Sequence, residues 1–307
     1  MFIRSLFVIF SLISASVFSG FENHVKKATN KSTIHHMRNI DFIYMINLDQ
    51  RPEKLAKSLD QLHPYGIYPY RFSAVNGWEL PLNAINDVGV KFEPWMQGGI
   101  WGTSYIIQNG ELMPEHEIMH VPGKTYFVHC MGRGTIGIAL SHLSILKDAY
   151  DSGYKTIWVM EDDIDVLRDP RIISDLIDRL DQLVGKKGWD ILFTDVDFRN
   201  REGQYVACTG YAPRPNFTPP DPKKFAKREE ISSDFTQIGA RFGAHSMIIR
   251  RSGMKKILNF IRQHSIFLPY DMDYVLPSDI KLYALKYDVV SQLTHAISDN
   301  GTPPSSH

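Results

Sequence analysis

Two apolar runs without polar alternation, at residues 41–48 and 155–160, constrain the fold more than any other feature of this chain. A strand that is apolar on both faces must be covered on both, as in a sheet held between layers of helices. The intervening segments fit that arrangement. Pro52 stands where a helix can start, and Leu55, Leu59 and Leu62 follow at helical spacing. Residues 68–74 form a second strand and complete a β-α-β unit. Residues 134–152 read as a helix through Ile136, Leu140, Leu143, Leu146 and Tyr150, ended by Gly153. Pro170 precedes another helix, through Ile173, Leu176, Ile177, Leu180 and Leu183, and residues 189–194 give the next strand. A strand at 244–249, a helix at 253–261 and closing strands at 280–285 and 289–293 complete the series. The alternation predicts an α/β fold: a Rossmann-like, mostly parallel sheet with helices on both faces, in one domain spanning 40–298.

Two stretches lack a period. Residues 93–128 read as a long irregular insertion, of the kind that forms lids or acceptor-binding segments, with room for short strands. Residues 212–222, with prolines at 213, 215, 219, 220 and 222, read as a mobile loop. At the N-terminus, Arg4 precedes an apolar run at 6–18 that Ser11, Ser14 and Ser16 dilute. The run is short of the about 20 apolar residues that span a bilayer. Residues 1–19 therefore read as a removable secretory signal, with an uncleaved signal anchor as the alternative. Export to a periplasm, an endoplasmic reticulum lumen or the medium is expected, with membrane association if the segment is kept. Residues 20–39 read as a linker and 299–307 as a polar tail.

Lys plus Arg and Asp plus Glu number 34 each, so the net charge is zero. A surface that tracks phosphates needs a basic excess, so no nucleic-acid partner is expected. Cys130 and Cys208, the only cysteines, allow one disulfide or none and match no metal motif.

The residues that carry chemistry follow the second apolar run directly: Glu161-Asp162-Asp163. Adjacent carboxylates repel one another, and at a strand end they face the crevice where open α/β sheets bind ligands. A hard cation such as Mn²⁺ or Mg²⁺ takes oxygen ligands and bridges to a diphosphate, whose departure it assists as a Lewis acid. The plain alternative is a solvated acidic turn with Asp capping the next helix. Asp195-Val196-Asp197, after another apolar strand, is the competing metal motif. Asn47 and Arg51 follow the first strand. Asn offers a donor and an acceptor to a base or ribose edge, and Arg pairs with a diphosphate.

Four motifs resemble those of family 25 glycosyltransferases, the relatives of lipopolysaccharide and procollagen galactosyltransferases. Ile46-Asn47-Leu48-Asp49-Gln50-Arg51 resembles their opening Ile-Asn-Leu-x-x-Arg, and Ala74-Val75-Asn76-Gly77 their Ala-Val-Asp-Gly. Gly134-Thr135-Ile136-Gly137-Ile138-Ala139-Leu140-Ser141-His142 resembles their Gly-Glu-Ile-Gly-Cys-x-Leu-Ser-His, and Val159-Met160-Glu161-Asp162-Asp163 their metal strand. The likeness implies a GT-A type fold, a UDP-sugar donor of galactose or glucose, a divalent metal and inversion at the anomeric carbon. The acceptor would be a glycan, a lipopolysaccharide or a protein. In these terms Asp163 and Glu161 are the metal ligands, and Asn47, Arg51, Glu161 and Asp162 seat the donor; His295, after the last strand, is read as completing the metal site because imidazole suits Mn²⁺. Pro269-Tyr270-Asp271-Met272-Asp273 resembles a later Pro-x-Asp segment, which makes Asp271 the first choice of catalytic base and Asp273 the second. His142 joins the catalytic set through its motif alone.

Thr135 and Ile138 depart from the family's Glu and Cys, and Asn76 from its Asp. They motivate a second reading, an inactive nucleotide-sugar or carbohydrate-binding protein of the same fold. A metal-dependent phosphohydrolase, the third class, calls for histidines near the acids, and residues 161–165 have none.

Overall fold

The computed structural model describes residues 20–200, 202–206, 208, 212–296, 298, 299 and 301. The N-terminal apolar run and the end of the tail lie outside the described residues, and with them the signal expected at 1–19. Among the described residues no helix is long and apolar enough to cross a membrane.

Strand β1 (Phe42–Asn47) leads through α1 (Pro52–Leu62) to β2 (Tyr70–Ser73). Helix α2 (Leu82–Val88) and strands β3 (Val90–Lys91), β4 (Trp101–Gln108), β5 (Glu111–Ile118) and β6 (Thr125–Val128) follow. The long helix α3 (Arg133–Asp151) precedes β7 (Thr156–Glu161), β8 (Ile164–Val166), α4 (Ile173–Val184) and β9 (Ile191–Phe193). Strands β10 (Arg228–Glu230), β11 (Phe235–Ile238) and β12 (Ser246–Arg250) come next, then α5 (Arg251–His264) and the short α6 (Tyr270–Asp273). Strands β13 (Leu282–Leu285) and β14 (Val290–Gln292) close the chain.

Eight strands form one sheet in the order β10-β11-β13-β9-β12-β7-β1-β2. Its central strands are apolar on both faces because each face has its own core. Phe42, Tyr44 and Ile46 of β1, with Ile157 and Val159 of β7, pack with α3 and α5. Ile43 and Met45, with Trp158 and Met160, pack with α1 and α4. Alternation of period two thus survives, with both phases apolar.

The sheet is mixed, which corrects the mostly parallel expectation. Pairs β1–β2, β1–β7 and β9–β13 are parallel, whereas β12 runs antiparallel between β7 and β9, and β11 runs antiparallel to β13 and β10. An apolar strand buried on both faces carries no sign of its direction, so the sequence pattern could not distinguish the two. The closing strand at 290–292 lies outside this sheet and pairs antiparallel with β8.

The segment at 93–128 is not an irregular insertion: it supplies β4, β5 and β6 to a small second sheet, in the order β3-β6-β4-β5. Its outer strand β5 is mostly exposed and so carries no apolar face that would mark it as a strand. Residues 20–39 do not form a free linker. Phe21 is fully buried, the Lys26 amide donates to Ser144 Oγ at 2.9 Å, and Lys31 Nζ donates to Asp148 Oδ2 at 2.9 Å. The proline-rich loop is likewise anchored: Arg214 is 1% exposed, pairs with Asp273 and donates to the carbonyls of His264 and Ser265, each at 2.7 Å. No disulfide joins exposed Cys130 to buried Cys208.

One packing contact shapes the site directly. A Cβ on Gly137 of α3 would lie 2.5 Å from Gly77 N and from Val75 O, and one on Gly77 would lie 1.8 Å from Arg133 O. Helix and loop meet backbone to backbone, and Ser141 Oγ secures them by accepting from the Val75 amide at 2.8 Å. Gly137→Ala is expected to destabilise the fold by about 3 kcal/mol, since neither backbone can yield cheaply. Urea denaturation checks this, and a loss under about 0.5 kcal/mol would show that the contact relaxes.

Candidate functional site

The acids sit where β7 ends. β1 and β2 run parallel to β7, so Asn47, Ser73 and Glu161 finish on one side of the sheet. Beyond these carboxyl ends lies a cleft of about 650 Å³ of open space. Its walls are Asn47 and Lys54, the loop at 74–78, Ile138, Ser141 and His142 of α3, Glu161, Asp162, Asp163 and the late Asp299. A crevice beyond strand ends, lined by a few converging polar groups, is the usual ligand site of such sheets.

Each acid has a different setting. Glu161 Oε1 lies 2.9 Å from His142 Nε2, and the buried His142 ring stacks on Tyr270 with centroids 4.2 Å apart. Burial works to raise the Glu161 pKa, yet the hydrogen bond and charge of His142, with His245 and Lys54, bring it below the ordinary value. Asp162 Oδ2 accepts from Asn47 Nδ2 at 2.6 Å, and its carbonyl accepts from Ser58 Oγ at 2.8 Å. Burial, with the charges of Asp163 and Glu161, outweighs Asn47 and Lys54 and pushes Asp162 up to about 7. Asp163 Oδ2 accepts from Gln292 Nε2 at 2.8 Å, while its Oδ1 is buried with no hydrogen-bond partner among the described residues. Burial, and then the Glu161 charge, raises the Asp163 pKa. In two of the three acids, Asp162 and Asp163, burial and neighbouring carboxylates thus disfavour the ionised form, which the protein itself does not compensate.

Asn47 is a bracket behind the acids and offers no free edge to a nucleotide. Its Nδ2 donates to Asp162 and to Arg51 O at 2.8 Å, and its Oδ1 accepts from Arg71 Nε at 2.8 Å. Arg51 is not among the cleft walls; it is engaged by Asp299, which does line the cleft, as is Lys54.

The other expected residues divide. Asp271 is half-buried at the start of α6, with Oδ2 accepting from the Gly243 amide at 2.9 Å. Burial raises its pKa, the Gly243 hydrogen bond and the His142 charge lower it, and the Glu161 charge raises it, with a net rise. Asp271 thus shares the electrostatic neighbourhood of the cluster, although it does not line the cleft. Asp273 is a structural clamp: it pairs with buried Arg214 and accepts from the amides of Phe267 and Leu268. His295 stands in an exposed turn with φ 65 and is absent from the cleft walls, so the three-ligand set of Asp163, Glu161 and His295 does not assemble. Among the described residues no group of three or more His, Cys, Asp or Glu is gathered to hold a metal ion.

The competing acid motif is spent on structure. Asp195 accepts from Arg241 Nη1 and from His245 Nε2, both at 2.8 Å, and from Ser291 Oγ at 3.0 Å. Burial would raise its pKa, but Arg241 and His245 hold it well below the carboxylate range. Asp197 pairs with Arg228. Of the departures at α3, Ile138 lines the cleft and Thr135 does not.

Lys54, Trp78, Tyr270 and Asp299 belong to the site and were not singled out as site residues from the sequence. Lys54 was legible, one helical turn beyond Arg51. Asp299, in a polar tail, carried no signal.

Comparison with known proteins gives a family. Residues 40–275 match the model of glycosyltransferase family 25 (LPS biosynthesis protein). A "glycosyltransferase 25 family member" of Aedes aegypti is 29% identical over 154 residues, covering 50% of this chain and 21% of that protein. Its counterpart in Drosophila melanogaster is 29% identical over 141 residues, covering 46% and 18%. The human "inactive glycosyltransferase 25 family member 3" is 25% identical over 158 residues, covering 50% and 21%. The matched part is about a fifth of the length of these relatives. The family match covers most of the chain, including β1, the Gly77–Gly137 contact and the acids closing β7, and the protein belongs to glycosyltransferase family 25.

Proposed function

We propose that this chain transfers a hexose, galactose or glucose, from a UDP-sugar to an acceptor hydroxyl of a glycan, lipopolysaccharide or protein, with inversion at the anomeric carbon. Family membership supports a glycosyltransferase-like function in general. The observation that carries this reading is the pair of acids at the end of β7 that lack a compensating partner: a buried, unpartnered Asp163 Oδ1 beside Asp162, whose pKa is raised to about 7.

These two carboxylates fit a divalent cation. Their oxygens are hard donors, and Mg²⁺ or Mn²⁺ sites at diphosphates use one or two carboxylates, with phosphate and water oxygens for the rest. Asp162 and Asp163 would hold it, and when bound it supplies Lewis-acid neutralisation of the departing diphosphate. Asn47 and Gln292 orient the two acids through the hydrogen bonds described. His142 keeps Glu161 ionised and anchors it to the Tyr270 ring. Asp271, fixed by the Gly243 amide beside the cleft and not in its wall, takes the proton from an acceptor hydroxyl that enters on its side, as that oxygen attacks the anomeric carbon and UDP leaves. Its raised pKa brings it closer to working pH, which improves a general base.

A panel of UDP-sugars, assayed for Mn²⁺-dependent UDP release with candidate acceptors, tests the reading. Asp271→Asn should lower transfer by about 100-fold or more while UDP binding stays within about twofold. Transfer at the wild-type rate in that variant removes Asp271 as the base. Ile138 in the cleft wall and the inactive human relative favour one competing reading, a nucleotide-sugar binder without turnover. UDP binding with no release from any donor would select it.

A further inference from the structure

Lys54 of the first turn of α1 lines the cleft, Arg51 precedes that turn, and Asp299 in the cleft wall engages both. The three side chains are 14%, 21% and 13% exposed. The Asp299 carboxylate accepts from Arg51 Nε at 2.9 and 3.1 Å, from Arg51 Nη2, and from Lys54 Nζ at 2.8 Å. Its main-chain oxygen accepts from Trp78 Nε1 at 3.2 Å. Burial would raise the carboxyl's pKa, but the two cations hold it below its ordinary value. A guanidinium fork and an ammonium converging on two oxygens is the geometry by which proteins hold carboxylates and phosphates alike. Lys54 lines the same cleft as the acids and Arg51 stands behind Asp299, whereas Asp299 itself lies beyond β14 and outside the strand pairings.

We propose that Arg51 and Lys54 form a subsite for an anionic phosphate group of the nucleotide donor, and that Asp299 is its built-in occupant, which must leave for the donor to bind. The inference rests on the reading of the cleft as a donor site and adds its regulation. A carboxylate that mimics a phosphate oxygen pair competes with the ligand by charge. The apparent affinity for donor is then reduced by the fraction of molecules in which Asp299 is seated. The segment after β14 is thereby an internal competitor, and whatever draws it away raises donor affinity.

Two measurements on the full chain test this, with UDP plus Mn²⁺ as the probe. Calorimetry should show UDP binding about fivefold or more tighter to Asp299→Asn than to the wild type. Hydrogen exchange should show that UDP raises exchange of wild-type amides across residues 293–301. Equal or weaker UDP binding by Asp299→Asn overturns the inference, as does a gain of protection across that segment, since Asp299 would then clamp the donor. Failure of both proteins to bind UDP sinks the donor-site reading and the inference with it. Binding of equal affinity to both sinks the inference alone.

Discussion

Asp163→Asn is expected to abolish Mn²⁺-dependent donor hydrolysis and sugar transfer, by about 100-fold or more, with the fold intact. The size follows from the setting. Asp163 Oδ1 is buried with no hydrogen-bond partner among the described residues, so that oxygen is open to a ligand. The Gln292 hydrogen bond falls on Oδ2, and the Leu293 amide donates to the Asp163 carbonyl at 2.7 Å, contacts that Asn can keep. The amide is nearly isosteric, so the turn between β7 and β8 should persist while the charge vanishes. UDP release and product formation, measured beside circular dichroism, check the expectation. Wild-type turnover in a folded Asp163→Asn protein contradicts it.

The second large effect is on stability, with the opposite sign. Asp162 has a folded pKa of about 7 against an ordinary 3.8. The folded state therefore binds a proton more readily than the unfolded state, and ligand-free stability falls as pH rises from about 4 to about 7. Above that window the cost is fully present. Asp162→Asn removes it and keeps an oxygen for Asn47, so the variant should be more stable by about 4 kcal/mol at pH 8 and nearly unchanged at pH 4. Transfer should be lost in the same variant, a trade between stability and function that charged sites commonly show. Thermal unfolding at the two pH values decides. A variant no more stable than the wild type at pH 8 would mean that Asp162 is not strained by its neighbours. Cation binding needs the ionised acid, so Mn²⁺ affinity should rise with pH through about 7.

Much of this was legible from residues. The β1 and β7 strands, α1 from Pro52 and α3 up to Gly153 follow from apolar spacing and helix ends, because burial imposes both. The placing of Glu161-Asp162-Asp163 at a strand end also followed, since a carboxylate run after Met160 has nowhere else to go. Direction was not legible. Ser246–Arg250 reads the same whether it runs with β7 or against it, so the mixed sheet was hidden. Polar segments hid their anchors: residues 20–39 bury Phe21, and the proline-rich loop buries Arg214 against Asp273. Within the site, spacing marked Asn47 and Arg51 near the end of β1 but not that each would be spoken for, Asn47 by Asp162 and Arg51 by Asp299. Those pairings join residues 115 and 248 positions apart, beyond the reach of any local pattern.

The central claim is that Asp162 and Asp163 grip a divalent cation that in turn receives a nucleoside diphosphate. Calorimetric titration of UDP into the wild-type chain, with Mn²⁺ and then with a chelator, tests it most directly. Saturable one-to-one binding that requires Mn²⁺ and weakens below pH 7 is the predicted result. Binding of the same strength in the chelator, or none in either condition, would contradict it.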